Sequence, residues 1–161
     1  DLQKIDMSTT RFKRKIRKKM LGIDYGLRRI GLAISDENKF MSLPLVTIDA
    51  GASIDASVIN LITYLGIRLD ELEGVVIGLP LHLDGNESPM SIKAKEFAKK
   101  IEENPNFENI KISFFDERLT SAFVDNSLKS LNVSRKKRAK VKDNLAASVL
   151  LQNFLDCQKN S

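Results

Sequence analysis

The sequence predicts an α/β domain in which helices flank a five-stranded mixed sheet on both faces. Three observations support this fold class. The alternating apolar pattern from Met20 to Asp36 is typical of a β-hairpin. The short apolar runs at 75–77 and 110–115 are typical of strands covered on both faces. Helical patterns separate the later strands, and a strand–helix–strand unit in one sheet implies parallel neighbours with a right-handed crossover.

The hairpin carries an acidic residue in its first strand. Leu21 and Ile23 alternate with small or polar neighbours, and Asp24 follows where the apolar run stops. Glycines bracket the turn, whose tip we expect at 27–29. The first strand is expected to be central in the sheet, where a carboxylate is costly to bury unless it is paired or bound to a cation. Asp24 therefore either caps the turn through backbone amides or takes part in binding a metal or a phosphate.

The remaining elements are predicted from periodicity, caps and breakers. Pro44 places the third strand at an edge of the sheet. Ser53 is expected to cap the first helix. The second helix is expected to turn Ile92, Phe97 and Ile101 inward. The predicted elements are strand 43–48, helix 53–69, strand 74–79, helix 91–103, buried strand 110–115, a helix from Thr120 or Ser121 to about 131, a basic linker or helix lead-in at 132–142, and a last helix at about 141–157.

Composition leaves carboxylates as the main candidates for chemistry. The 161 residues suit one domain with a sizeable core. No apolar run is long enough to cross a bilayer, and no apolar segment follows the basic N-terminus as in a secretory signal. One cysteine, Cys157, excludes an internal disulfide framework and fits a cytoplasmic location. One histidine, His82, excludes a histidine-rich zinc site.

The net charge of +5 is unevenly distributed. Residues 1–20 hold eight Lys and Arg against two Asp, which gives +6 and leaves −1 for the remainder. We expect residues 1–19 to form a disordered basic arm and residues 20–157 to form a single domain. Such an arm contacts nucleic acid by neutralising phosphates, is a solvated extension, or is an upstream artefact, in which case the natural start is at Met7 or Met20.

Acidic residues fall where the carboxyl ends of the strands are expected to meet. Asp24 lies near the end of the first strand, Asp116 and Glu117 end the last strand, and Asp143 is expected in the first turn of the last helix. Reactive sites in such sheets lie beyond these strand ends. Oxygen-only clusters suit Mg²⁺ or Mn²⁺, and two such ions about 4 Å apart can promote phosphodiester hydrolysis. Alternatively, residues 116–118 form a salt-bridge cluster, and Asp143 is a carboxylate favoured by the helix dipole.

Six basic residues lie just before Asp143. Such a run is usually a solvated face, but its position beside a candidate metal ligand favours contact with a nucleic-acid backbone. The candidate nucleic-acid contacts are Arg29, Arg118, Arg135, Lys136, Lys137, Arg138, Lys140 and Lys142.

Four motifs occur in order over about residues 20–156. They are Gly-x-Asp-x-Gly-x-x-Arg-x-Gly-x-Ala at 22–33, Gly-Leu-Pro at 78–80 with a later glycine at 85, Asp-Glu-Arg-Leu-Thr at 116–120, and a basic stretch followed by Asp-x-x-Ala-Ala at 143–147. Together they resemble the YqgF family, also called RuvX, of the RNase H-like superfamily. The chain departs from the family pattern in its basic arm and in His82 within the glycine loop.

The resemblance implies an RNase H-like fold and a Mg²⁺-dependent nuclease activity. It assigns the catalytic and metal-binding roles to Asp24, Glu117 and Asp143. Asp116 is the less favoured ligand, because adjacent strand residues point to opposite faces. Family members are described as candidate Holliday junction resolvases and as nucleases that mature the 5′ end of 16S ribosomal RNA.

The leading hypothesis is therefore a cytoplasmic endonuclease that uses Mg²⁺ or Mn²⁺ to mature the 5′ end of precursor 16S ribosomal RNA. We expect a monomer or a weak homodimer with no membrane partner. The alternatives are a Holliday junction resolvase acting on four-way DNA and a non-catalytic RNA-binding assembly factor. A nucleotide-binding domain of the actin and sugar-kinase type shares the hairpin and its Asp-x-Gly, but the sequence shows neither its second lobe nor its second phosphate loop.

Overall fold

A computed structural model describes residues 17–117, 131–132 and 134–159, without the side chains of residues 138–144. The first sixteen residues of the basic arm and most of the helix predicted to end near Leu131 lie outside this described part. The strands are β1 (Lys19–Tyr25), β2 (Arg29–Ser35), β3 (Ser42–Asp49), β4 (Leu72–Leu79) and β5 (Lys111–Asp116). The helices are α1 (Ile54–Leu65), α2 (Pro89–Glu103) and α3 (Arg135–Lys159), with short 3-10 turns at Gly66–Glu71 and Pro105–Phe107.

The five strands form one mixed sheet in the order β3-β2-β1-β4-β5. The hairpin pairs β1 with β2, and β3 adds to β2, both in antiparallel fashion. On the other side of β1, β4 and then β5 add in parallel. The predicted mixed sheet, the central position of the first strand and the edge position of the strand containing Pro44 are confirmed.

Each face of the sheet carries its own apolar layer. On one face, α1 and α2 cover a core in which the rings of Tyr25 and Phe97 stack with centroids 4.6 Å apart. On the other face, α3 packs across β1, β2 and β3. The backbone of α3 comes so close at Gly22 that a Cβ there would lie 2.8 Å from the Leu151 Cβ. The prediction of helices on both faces is confirmed. Within the described residues, no helix has the length and apolar character of a membrane span.

Three details of the predicted elements are wrong. The helix predicted over 53–69 is capped by Ser53 as expected but ends at Leu65, because Gly66 takes a positive φ of 50° and the chain continues as a 3-10 turn. Phe97 and Ile101 are buried as predicted, but Ile92 is 45 % exposed, since it lies outside the stripe of buried residues along α2. The strand predicted as buried, β5, lies at an edge of the sheet.

The last helix is longer than predicted. It begins at Arg135, so residues predicted as a basic linker or lead-in form its first turns. Lys and Arg are good helix formers, and the Ser134 hydroxyl accepts a hydrogen bond of 3.3 Å from the backbone N–H of Lys137 at the start of the helix. Asp143 is consequently the ninth residue of α3, not part of its first turn, so a favourable interaction with the helix N-terminus does not account for it.

Candidate active site

Asp24 occupies the penultimate position of the central strand. In the hairpin register it lies opposite Gly31, which has no side chain to cover it. Since Ile23 pairs with Ile77, the next position on β4, Gly78, comes alongside Asp24. Leu21, Ile23 and Tyr25 belong to the core beneath α1 and α2, so strand alternation places Asp24 on the α3 face. The carboxylate is partly buried there.

Glu117 reaches this position from the edge of the sheet. It follows β5 directly, and its backbone N–H donates a 3.1 Å hydrogen bond to the Leu79 carbonyl of β4. Its side chain lies over Gly78, where a Cβ would come within 2.6 Å of the Glu117 Cγ and nearer still to the carboxyl group. Strands β5 and β1 are separated by β4, hence by about 10 Å. The missing side chain at Gly78 is what allows Glu117 to cross β4 and hydrogen-bond with Asp24.

The two carboxyl groups perturb each other. Burial foremost, then the negative charge of Asp24, the hydrogen bond with Asp24 and the charge of Asp116, raise the pKa of Glu117 from 4.5 to about 8. Two carboxylates in contact at a poorly solvated site repel each other unless they share a proton or bind a cation. At neutral pH the Asp24–Glu117 pair therefore keeps a proton in the absence of a cation.

The chemistry of this donor set fits a hard divalent cation. Asp24 and Glu117 offer only carboxylate oxygens, which suit Mg²⁺ or Mn²⁺ better than zinc. Among the side chains that the structure describes, no group of three or more acidic, histidine or cysteine residues has metal-binding geometry. A third acidic ligand for the Asp24–Glu117 pair would have to come from outside those side chains.

The other two predicted acidic residues lie nearby in the fold. Asp116 pairs in register with Leu79, and strand alternation turns it to the face opposite Glu117. Asp143 lies on α3 one turn before Ala147, whose carbonyl is at the contact with Gly22. Because α3 runs antiparallel to β1, from Leu155 near Met20 to Ala147 near Gly22, the next turn lies towards the Asp24 end of the strand. The Asp143 side chain is outside the described part.

Comparison with known proteins identifies the family. A family model described as RuvX, Holliday junction resolvase, matches residues 18–157. The chain belongs to the RuvX family. The resemblance expected from the four motifs is thereby confirmed.

Curated relatives of this RuvX chain match over nearly their whole length. A protein of Protochlamydia amoebophila is 38% identical over 86% of this chain and 93% of its own length. One of Orientia tsutsugamushi is 38% identical over 91% of this chain and 88% of its own. Both carry the name "Putative pre-16S rRNA nuclease".

Two solved structures share the fold. The fowlpox virus Holliday junction resolvase superposes with a TM-score of 0.52 at 15% identity, covering 87% of this chain and 99% of its own. Thermus thermophilus RuvC in complex with a Holliday junction substrate gives 0.51 at 12% identity, covering 89% and 96%. These likenesses confirm the RNase H-like fold of this RuvX chain.

The predicted basic contacts of this RuvX chain are partly placed. Arg29 begins β2 at the Asp24 end of the hairpin and is exposed. Arg135, Lys136 and Lys137 are exposed in the first turn of α3. Arg118 lies outside the described residues. Arg138, Lys140 and Lys142 belong to α3, but their side chains lie outside the described part.

Two residues beside the site were not assigned a role from the sequence. The sequence shows Gly78 only as part of a Gly-Leu-Pro turn, because its role in letting the Glu117 side chain cross β4 depends on the strand order. Thr47 of β3 pairs with Gly31 and lines a cavity of about 210 Å³ with Asp24 and Arg29. No local signal marks Thr47, because only the three-strand register brings it to within about 10 Å of Asp24, two strand spacings away.

Proposed function

We propose that this RuvX chain is a metal-dependent endonuclease that hydrolyses phosphodiester bonds, and that its substrate is the 5′ end of precursor 16S ribosomal RNA. The observation that carries the proposal is the contact between the carboxyl groups of Asp24 and Glu117 at the carboxyl ends of β1 and β5. The names of the curated relatives support the choice of substrate. We place the protein in the cytoplasm as a monomer or a weak homodimer.

Asp24, Glu117 and, by its position on α3, Asp143 would hold the Mg²⁺ or Mn²⁺. When bound, such ions, in a two-metal arrangement, supply activated water and stabilise the leaving oxygen. The protein holds the two carboxyl groups in position. The ladder bond from Glu117 to Leu79 holds the end of β5, and Gly78 leaves the Glu117 carboxyl free to meet Asp24.

Basic side chains at the same end would orient the nucleic-acid backbone. Arg29 lies on the rim of the cavity beside Asp24, and Arg135 to Lys137 extend the positive charge along the first turn of α3. Contacts of this kind fix the position of a strand without reading its bases. Specificity for one cleavage position would then come from the shape of the RNA around the scissile bond.

Four-way DNA is the second candidate substrate. The family description names a Holliday junction resolvase, and the two structural neighbours are a viral Holliday junction resolvase and RuvC bound to a Holliday junction substrate. The same carboxylates would serve either substrate, because phosphodiester hydrolysis makes the same demand in RNA and DNA.

The test compares a precursor 16S fragment and a four-way DNA junction, each with Mg²⁺ and with chelator. Cleavage of the RNA in Mg²⁺ alone is expected, and Asp24→Asn should abolish it while circular dichroism shows an intact fold. The matched control is Asp55→Asn, an exposed aspartate on α1 that forms an ion pair of 3.0 Å with Lys100 on the other face of the sheet. Cleavage that persists in purified Asp24→Asn would exclude the assignment of Asp24. Salt-sensitive RNA binding by the wild type without any cleavage would favour an assembly factor instead.

A further inference from the structure

A second cavity lies at the opposite end of the sheet from the candidate active site. Its volume is about 410 Å³, and its lining includes Lys111 and Ser113 of β5, Phe154 and Lys159 of α3, and Phe40 of the β2–β3 loop. Lys111 and Ser113 lie on β5 at positions two residues apart, and Glu117, just after the strand, continues the same alternation, so the cavity opens on the α3 face, as the active site does. The active-site proposal assigns no role to it.

One wall of this cavity is a firmly built loop. The Asp36 carboxylate accepts hydrogen bonds of 2.8 Å from the backbone N–H groups of both Phe40 and Met41. The Gln152 side chain of α3 donates a 3.0 Å hydrogen bond to the Phe40 carbonyl. Lys39 within the loop takes a φ of 60°, which a non-glycine residue keeps only where its surroundings hold it. The loop is therefore pre-formed, and a ligand meeting it pays little ordering entropy.

The lining combines positive charge with an exposed aromatic ring. Its charged residues are Lys39, Lys111 and Lys159 against Glu73, a balance of +2, and Glu73 already forms an ion pair with Lys39. Phe40 is 62 % exposed, and the Lys159 ammonium lies 4.3 Å from its ring centroid. Proteins that bind single-stranded nucleic acids without sequence preference combine aromatic stacking surfaces with positively charged side chains.

The distance to the active site suits the same nucleic-acid strand. Lys111 begins β5 and Glu117 directly follows its last residue, a separation of six residues that corresponds to about 20 Å at the rise of a strand. Each phosphate of one strand takes up about 3.4 Å along the axis of a helical duplex, so this separation corresponds to roughly six nucleotides, or fewer if the strand is extended. An RNA held at Asp24 and Glu117 can therefore continue along the β5 edge into this cavity.

We propose that this cavity binds a nucleotide of the single-stranded RNA that flanks the scissile bond. The base stacks on Phe40, and the phosphates contact Lys111 and Lys159. The identity of the RNA as substrate rests on the proposed function, but the binding itself does not depend on cleavage.

The first experiment measures binding of a labelled 20-nucleotide single-stranded RNA by fluorescence anisotropy in chelator. The double variant Lys111→Ala/Lys159→Ala should bind about tenfold more weakly, and its salt dependence should be shallower by about one unit of slope per lysine. The matched control is Lys93→Ala/Lys99→Ala, two exposed lysines of α2 on the other face of the sheet. Equal affinity of wild type and the Lys111/Lys159 variant, or equal loss in the control, would overturn the proposal.

The second experiment separates stacking from charge, and an RNA strand from a free nucleotide. Phe40→Leu keeps an apolar side chain at this exposed position but removes the aromatic face, so it should weaken RNA binding several-fold and leave binding of inorganic polyphosphate unchanged. Adenosine monophosphate should compete with the RNA only at millimolar concentration. Tight competition by the mononucleotide would show that the cavity serves a free nucleotide and would overturn the assignment to RNA.

Cleavage assays keep this proposal separate from the proposed function. The substrates carry either ten or two nucleotides beyond the cleavage position. The lysine double variant should lose more of the wild-type cleavage rate on the long substrate than on the short one. If the wild type fails to cleave RNA but the variants show the binding losses above, the cavity proposal stands and the nuclease assignment is overturned. If the wild type cleaves RNA, and the lysine double variant shows the same ratio of cleavage rates on long and short substrates as the wild type, the cavity proposal alone is overturned.

Discussion

Replacing Glu117 by glutamine is expected to stabilise the metal-free protein at and above neutral pH. Glutamine has the shape of the protonated glutamic acid and can donate a hydrogen bond to Asp24, but it cannot ionise. The wild-type side chain has its pKa raised to about 8 by burial and by the charges of Asp24 and Asp116. Ionising it in the folded state is therefore costly.

The size and direction of the effect follow from the raised pKa. Below pH 4.5 the group is protonated in both states, and its contribution to stability is fully present. Between pH 4.5 and about 8 the unfolded chain releases the proton while the folded chain retains it, so stability falls as pH rises. A rise from 4.5 to about 8, at about 1.36 kcal/mol per unit, amounts to at most about 5 kcal/mol. That is comparable with the whole stability of many domains, about 5–15 kcal/mol.

Urea unfolding followed by circular dichroism, in chelator at several pH values from 5 to 8.5, measures this dependence. The wild-type free energy of unfolding should decline across the range, and that of Glu117→Gln should decline much less. The variant should be the more stable protein at pH 8. Parallel pH profiles for the two proteins would refute the reasoning, because they would show that Glu117 ionises as freely in the folded chain as in water.

Further perturbations test metal binding at Glu117, the crossing of β4 by the Glu117 side chain at Gly78, the contact of α3 with Gly22, and the Ser53 cap of α1. Adding Mg²⁺ at pH 8 should raise the urea midpoint of the wild type and not that of Glu117→Gln, and equal shifts would argue against metal binding at Glu117. Gly78→Ala should displace the Glu117 carboxyl and lower the cleavage rate about 100-fold with the fold intact, as measured by single-turnover kinetics. Gly22→Ala should cost about 1–3 kcal/mol in urea unfolding, because the new methyl would meet Leu151 at 2.8 Å. Ser53→Ala should cost about 1 kcal/mol through loss of the α1 cap, and an unchanged midpoint would contradict the 3.1 Å capping bond.

Errors in the sequence prediction have local physical causes. The apolar periodicity predicts that the first helix extends to Leu69. Leu69 is indeed buried, but it lies in a 3-10 turn that begins at Gly66. The apolar character of Ile92 favours an inward position, but the position falls outside the stripe of buried residues along α2, which includes Phe97 and Ile101. The apolar run of β5 does not distinguish an edge strand from a covered one, and Phe114 remains 42 % exposed.

The sequence by itself determined the parts of the site. Alternation and glycine placement defined the hairpin with Asp24 near the end of its first strand, and the motif at 116–120 placed Glu117 after the last strand. These predictions succeed because hydrophobic periodicity and turn chemistry act over a few neighbouring residues.

Tertiary structure alone decided how those parts meet. The order β1-β4-β5 puts a strand between Asp24 and Glu117, and a glycine at the crossing point lets their carboxyl groups touch. The same packing brings Thr47 across from Asp24 and builds the lysine-lined cavity from β5, α3 and the β2–β3 loop. Such contacts join residues far apart in the chain, and their geometry depends on strand register and helix packing, which no local pattern encodes.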